Sequence, residues 1–178
     1  TSWQHYRDEP YNPVCLYAAT KQAFEALLAF YVETAALRAV TLRLFDTYGP
    51  GGRRQKLFRL LATCAREGTE LAMSAGEQLL DVVYIDDVVQ ALLLAAQRVL
   101  SGQAPAHEIY AVGSGQPRPL REVVEQYGRA CGRPLRVQWS ARPYRPREVM
   151  VPWAAGRPVP GWRPRVGLEE GLRRMLAA

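Results

Sequence analysis

Tyr17 and Lys21 stand four residues apart in Leu16-Tyr17-Ala18-Ala19-Thr20-Lys21, inside a stretch whose apolar residues recur at helical spacing. Residues i and i+4 of a helix lie one above the other on one face, so a phenol and an ammonium would be neighbours there. A tyrosine hydroxyl ordinarily titrates at about pH 10, and a cation beside it favours the phenolate. The pair is thus a candidate proton donor and acceptor for working pH. The spacing alone is common among helices, and its surroundings give it weight.

Periodicity predicts the elements that must hold the pair. From Pro13 to Ala36, Leu16, Ala19, Ala23, Leu27 and Phe30 fall at three- and four-residue steps, which predicts a long helix. Arg38 to Phe45 is a short β-branched and leucine-rich run that reads as a strand, closed by Tyr48-Gly49-Pro50-Gly51-Gly52. A second helix is expected over Arg54 to Arg66, ended by Gly68. Asp81 to Ile85 reads as a strand, and Asp86 and Asp87 as N-cap residues of a helix reaching Leu100. Strands at Ile109 to Val112 and Leu135 to Trp139, and helices at Leu120 to Cys131 and around Leu168 to Leu176, complete the series. Strands alternating with helices predict a layered α/β architecture with a parallel sheet in its first part.

The 178 residues and 48% hydrophobic content suffice for a compact domain and exclude a disordered chain. No apolar run reaches the roughly 18 residues of a membrane span, and residues 1–5 lack a signal-peptide layout. No membrane partner is therefore expected, and a cytoplasmic location is. The formal charge is +6, and Lys21 and Lys56 are the sole lysines among 23 basic residues. Arginine's planar fork suits phosphate, but these arginines scatter among Pro, Gly and Glu, so no nucleic-acid partner is expected. Cys15, Cys64 and Cys131 are too widely spaced for a disulfide framework and read as buried, reduced thiols. His5 and His107 have no ligand-spaced companions, so no metal site is expected. Trp139, Trp153 and Trp162 read as packing residues.

Five motifs along the chain resemble one family. Ser2-Trp3-Gln4-His5-Tyr6, Asp8-Glu9-Pro10, Pro13, Tyr17-x-x-x-Lys21 and Glu25 resemble the Ser/Thr-x-x-x-Tyr, Pro, Tyr-x-x-x-Lys and Glu succession of the extended short-chain dehydrogenase/reductases. Leu42-Arg43-Leu44-Phe45-Asp46-Thr47-Tyr48-Gly49-Pro50 is similar to that family's Arg-x-x-Asn-x-Tyr-Gly-Pro loop, and Asp81 to Val88 to its Asp-Phe-Val-Tyr-Val-Asp-Asp-Val segment. Tyr110 to Gly115 resembles Tyr-Asn-Val-Gly-Ser-Gly, and Gly161-Trp162-x-Pro164 with Leu168 to Gly171 resembles the closing Gly-Trp-x-Pro and Leu-x-Glu-Gly. The branch resembled is that of the nucleoside-diphosphate-sugar epimerases, dehydratases and ketoreductases.

The resemblance implies the C-terminal part of a Rossmann-like doubly wound parallel sheet plus a small substrate-binding lobe. Residues 1–112 would belong to the catalytic domain and residues 113–178 to the lobe and tail. It implies NAD or NADP as cofactor and a nucleotide-sugar substrate. Tyr17 would be the general acid/base at the sugar C4 oxygen, Lys21 would hold the nicotinamide ribose, and Ser2 would hydrogen-bond the same oxygen. Tyr17, Lys21 and Phe45 would line the cofactor, and Asp46, Arg53, Arg54, Lys56 and Arg145 the substrate. A homodimer packed through the Tyr17 helix is implied as well.

Departures narrow the reaction. The 4,6-dehydratases carry Asp-Glu after the Ser/Thr, whereas Trp3 and Gln4 stand here, and neither exchanges protons near neutral pH. A 4-ketoreductase or an epimerase remains, most like the CDP-abequose and paratose synthase type. Asp46 replaces the usual Asn, and Leu80 a frequent arginine. The dinucleotide loop Gly-x-x-Gly-x-x-Gly does not occur: Gly113-Ser114-Gly115 lacks the third glycine, and Gly49-Pro50-Gly51-Gly52 carries proline where the backbone must approach a phosphate. The expectation is therefore a fragment, inactive alone. The alternative is a non-catalytic remnant that serves as a binding or dimerising module.

Overall fold

The structure, a computed structural model, describes residues 13–52, 56–154 and 156–177. Helix α1 (Leu16–Thr34) is followed directly by strand β1 (Ala39–Leu44), which pairs in parallel with β6 (His107–Val112) from Ala39↔His107 to Leu44↔Val112. Parallel neighbours need a long crossover. The chain supplies one that includes α2 (Leu57–Glu67) and α3 (Ile85–Leu100). Along β6 every second residue, Glu108, Tyr110 and Val112, is buried, as a strand with one inward face requires.

The strand expected over Arg38 to Phe45 ends within one residue of the expected place, at Leu44. Beyond it β2 (Asp46–Tyr48) leaves β6 and pairs in parallel with β5 (Val82–Tyr84). All three residues of β5 are buried. Because successive side chains of a strand point to opposite faces, β5 serves two cores. Val83 joins Leu42, Ala91, Tyr110 and Val112 in one, while Val82 and Tyr84 join Tyr48, Leu61, Tyr127 and Leu172 in the other. The second core is closed by α4 (Leu120–Cys131) and α5 (Leu168–Ala177). Short ladders complete the fold, β3 (Leu71–Ala72) with β8 (Val137–Gln138) in parallel and β4 (Leu79–Leu80) with β7 (Arg118–Pro119) antiparallel. The tail then returns to the first core through Val159 and Trp162.

Helices α2 and α4 both end on a glycine in the left-handed region, Gly68 at φ 65° and Gly132 at φ 64°. That conformation carries no Cβ penalty at glycine. Asp86 and Asp87 depart from their expected capping role. Tyr84 is the N-cap of α3, and no side chain caps the helix end. Both carboxylates stand in the first turn, where negative charge suits the helix dipole. Asp87 is 3% exposed and accepts the backbone N–H groups of Arg165 (3.1 Å) and Val166 (3.0 Å), while the Trp162 indole donates to its carbonyl (2.8 Å). Asp87 therefore clamps the tail to α3.

Of the cysteines expected to be buried, Cys64 is; Cys131 is half-buried and Cys15, just before α1, is exposed. The apolar residues that predicted α1 do not form its seat either. The sheet side carries Ala18, Gln22, Glu25, Ala29 and Val32, whereas Leu16, Leu27 and Phe30 are exposed. Among the described residues no helix is long and apolar enough to cross a membrane.

Candidate active site

Four residues join α1 to β1, so the helix runs back along the strand and its N-terminus lies toward the strand's carboxyl end. One ion pair fixes the relative height. The Arg43 guanidinium donates to both carboxylate oxygens of Glu25, with Nε at 3.1 and 3.2 Å and Nη2 at 2.6 Å. Arg43 is the last residue but one of β1. Tyr17 lies eight residues before Glu25, hence roughly 12 Å farther along the helix axis. The Tyr17 end of α1 thus overhangs the crevice outside the carboxyl ends of β1 and β6, the position where open α/β sheets take ligands.

Tyr17 and Lys21 share one face as their spacing predicts, with Lys21 Nζ 5.2 Å from the centroid of the Tyr17 ring. Tyr17 is half exposed. Phe45 and Asp46 follow the carboxyl end of β1. Phe45 is buried, donates its N–H to the Val112 carbonyl (3.0 Å), and leaves room for nothing larger than glycine at 113, where a Cβ would stand 2.8 Å from its ring. Asp46 is half-buried and donates its N–H to the Asp81 carbonyl at 3.1 Å. Lys56 is exposed just before α2, and Arg145 is exposed on a loop held by the Tyr144 hydroxyl, which donates to Glu77 at 3.1 Å. The structure thus unites Tyr17 with Lys21 and sets Phe45 and Asp46 at the strand end, while Lys56 and Arg145 sit on separate segments. Ser2, Arg53 and Arg54 lie outside the described residues.

Two buried tyrosines, Tyr48 and Tyr110, are held in their protonated form by their surroundings. Burial pushes the Tyr48 hydroxyl far above its ordinary titration range, and the negative charges possible on Tyr84 and Asp87 push it further. Burial likewise raises Tyr110, helped by its hydrogen bond to Glu108. Neither hydroxyl can exchange a proton near neutral pH.

Sequence reasoning missed the role of Asp81. It is 5% exposed and accepts the backbone N–H groups of Ser114 (2.6 Å) and Gly115 (2.9 Å). The amides that a pyrophosphate would need from Gly113-Ser114-Gly115 are therefore already occupied, which gives a structural reason to set this loop aside as a phosphate cradle. An acidic residue opening a fully buried strand was the available signal. The partner of Glu25 left none, because it stands on a different element.

Residues 4–113 match the profile of the NAD dependent epimerase/dehydratase family. The chain belongs to this family. Relatives include UDP-glucuronate 4-epimerase from Thermodesulfobacterium geofontis, 28% identical over 174 residues covering 95% of this chain and 50% of that protein. The 2-alkyl-3-oxoalkanoate reductase of Stenotrophomonas maltophilia is 31% identical over 91% of this chain and 57% of its own length, and CDP-abequose synthase from Salmonella typhimurium 26% identical over 96% and 58%. The crystal structure of Thermus thermophilus UDP-glucose 4-epimerase in complex with NAD superposes with a TM-score of 0.80 at 27% identity, over 99% of this chain and 60% of that one. As a family member, the chain has the expected Rossmann-like α/β fold with parallel strands, and it spans between half and three-fifths of the proteins it matches.

The residues present fit one end of the family's dinucleotide. A half-exposed phenol with an ammonium beside it, overhanging the carboxyl end of a parallel sheet, suits the nicotinamide ribose. The Gly113 loop does not suit the pyrophosphate, since Asp81 holds its amides.

Proposed function

We propose that this chain is the C-terminal part of an NAD(P)-dependent enzyme that acts at C4 of a nucleoside-diphosphate sugar, as a ketoreductase or an epimerase. The observation that carries this reading is the Tyr17–Lys21 pair, half exposed at the carboxyl end of β1. The bound nicotinamide supplies hydride acceptance or donation at the sugar carbon. Tyr17 takes the hydroxyl proton when that carbon is oxidised and returns it when the carbonyl is reduced. Lys21 would hold the ribose hydroxyls, its ammonium standing over the Tyr17 ring. Ser2 would donate to the same substrate oxygen, and Phe45, buried at the strand end, would border the nicotinamide. Asp46, Arg53, Arg54, Lys56 and Arg145 are assigned to the diphosphate and sugar, the guanidinium forks being suited to phosphate oxygens. With Trp3 and Gln4 in place of an acid and a base, no water is eliminated.

Two further parts of the reading concern the whole protein. The exposed α1 residues Phe24, Leu27, Phe30 and Tyr31 form an apolar stripe that a homodimer would bury. The pyrophosphate and adenosine belong to a dinucleotide-binding half outside this chain, so the chain alone is inactive. The rival idea of a non-catalytic remnant does not account for an intact Tyr17, Lys21 and Ser2.

A second reading keeps the chemistry and changes the substrate. Identity to the 2-alkyl-3-oxoalkanoate reductase reaches 31%, and Asp46 and Leu80 are poor phosphate ligands. The full-length protein, assayed by cofactor absorbance and product analysis with UDP-glucose, UDP-glucuronic acid and a 2-alkyl-3-oxoalkanoate, separates the two. Turnover of a nucleotide sugar supports the first reading. Turnover of the oxoalkanoate alone overturns it in favour of the second, and turnover of none with NADH or NADPH unbound favours the remnant.

A further inference from the structure

The seat of α1 on the sheet is polar at its centre. Between the buried Ala18 and Val32, the sheet-facing residues are Gln22, Glu25 and Ala29, so two polar side chains stand at positions where an ordinary core helix carries leucine or valine. Glu25 has a side chain 10% exposed and Arg43 one 21% exposed, and the two meet as a bidentate pair. Apolar contacts are non-directional and tolerate small slides and rotations of one element on another. A fork-to-fork Arg–carboxylate pair tolerates neither well, because both partners are planar and Nε and Nη2 both donate into one carboxylate, Nη2 at 2.6 Å. Residues 17, 21 and 25 form one i, i+4, i+8 row, so the rotation that the pair imposes at Glu25 is passed along two turns of helix to Lys21 and Tyr17.

We infer that Glu25 and Arg43 are positioning residues, which set the rotation and height of Tyr17 and Lys21 over the crevice at the carboxyl end of β1. This rests on the assignment of Lys21 to the nicotinamide ribose. A buried ion pair is weak evidence of stability, and its replacement by apolar residues of similar size is often neutral or stabilising, so placement and stability can be separated. The fold contains its own control. Arg98 at the end of α3 and Glu108 near the start of β6 form a second bidentate pair, Nη2 to Oε1 at 2.9 Å and Nε to Oε2 at 3.0 Å, at the amino end of the strand and away from the crevice.

The test measures NADH and NADPH binding to the full-length protein by fluorescence, beside thermal melting, in Glu25→Gln, the double replacement Glu25→Leu with Arg43→Met, the exchanged pair Glu25→Arg with Arg43→Glu, Arg98→Gln and Lys21→Ala. The expected result for Glu25→Gln is binding about tenfold weaker, the loss of roughly one charge-assisted hydrogen bond at Lys21. The Leu/Met pair should melt near the native temperature yet bind as weakly, the exchanged pair should recover much of the affinity, and Arg98→Gln should lower melting without changing affinity. Native affinity in the Leu/Met pair, or equal weakening by Arg98→Gln, overturns the inference. Native affinity in Lys21→Ala, or failure of both cofactors to bind the unaltered protein, overturns instead the site assignment beneath it.

Discussion

At the scale of single residues, four buried or half-buried carboxylates do the joining. Glu25 holds Arg43, Asp81 holds the Ser114 and Gly115 amides, Asp87 holds the tail, and Glu108 holds Arg98. The hydrogen bond from Arg98 keeps the Glu108 carboxyl below its usual range, against the opposing effect of burial. Folding therefore releases protons from Glu108, and its contribution to stability is present above the unfolded value of about 4.3 and is lost as pH falls through the lower folded value. Melting of the full-length protein should consequently fall as pH drops below the unfolded carboxylate value of about 4.3, and less steeply in Glu108→Gln. An identical pH slope in that variant would remove Glu108 from the account. Asp87→Ala removes the acceptor of the part-buried Arg165 and Val166 backbone N–H groups, and a total loss of about 1–3 kcal/mol is expected in urea unfolding. Asp87→Asn, which keeps one acceptor, should cost less.

At the scale of elements, α5 poses a contest between propensity and space. Gly171 lies inside that helix, where alanine is ordinarily better by up to about 1 kcal/mol. A Cβ there, however, would overlap the hydroxyl of Tyr48, which is itself buried between α5 and Tyr84. Sterics should win, and Gly171→Ala is expected to destabilise by about 1–3 kcal/mol, read as a lower urea midpoint with unchanged slope. Tyr48→Phe combined with Gly171→Ala should recover part of that loss. Helices α2 and α4 were legible because each carries its own period and its own glycine stop, whereas the apolar period that predicted α1 proved to be its exposed face. The expected span of α4 coincides with the observed Leu120–Cys131, and Gly68 ends α2 as predicted. The strands were less so. Nothing in Asp46 to Tyr48 marks the separate strand β2, whose parallel partner lies 36 residues on. Ladders of two residues, β3 with β8 and β4 with β7, have no period to read at all. Tyr17 and Lys21 were visible through spacing within one helix, but the Glu25–Arg43 link crosses from helix to strand and needed coordinates.

At the scale of the whole molecule, two apolar stripes face outward. On α1 they are Phe24, Leu27, Phe30 and Tyr31, and on α3 Val89, Leu92, Leu93 and Leu100, all between 43% and 87% exposed. A pair of helix faces of this kind is more than scattered surface apolarity and calls for partners. If α1 supplies the homodimer contact, Leu27→Glu with Phe30→Glu should turn a dimer of the full-length protein into a folded monomer in analytical ultracentrifugation; an unchanged mass would assign the stripe to another neighbour. The central claim, that this chain carries the proton-handling tyrosine of a nicotinamide-dependent enzyme, is tested most directly at Tyr17. In the full-length protein with its turned-over substrate, Tyr17→Phe should lower kcat by about 10²- to 10⁴-fold, the usual worth of a positioned acid or base, while substrate affinity changes little. Native turnover in Tyr17→Phe would contradict the account.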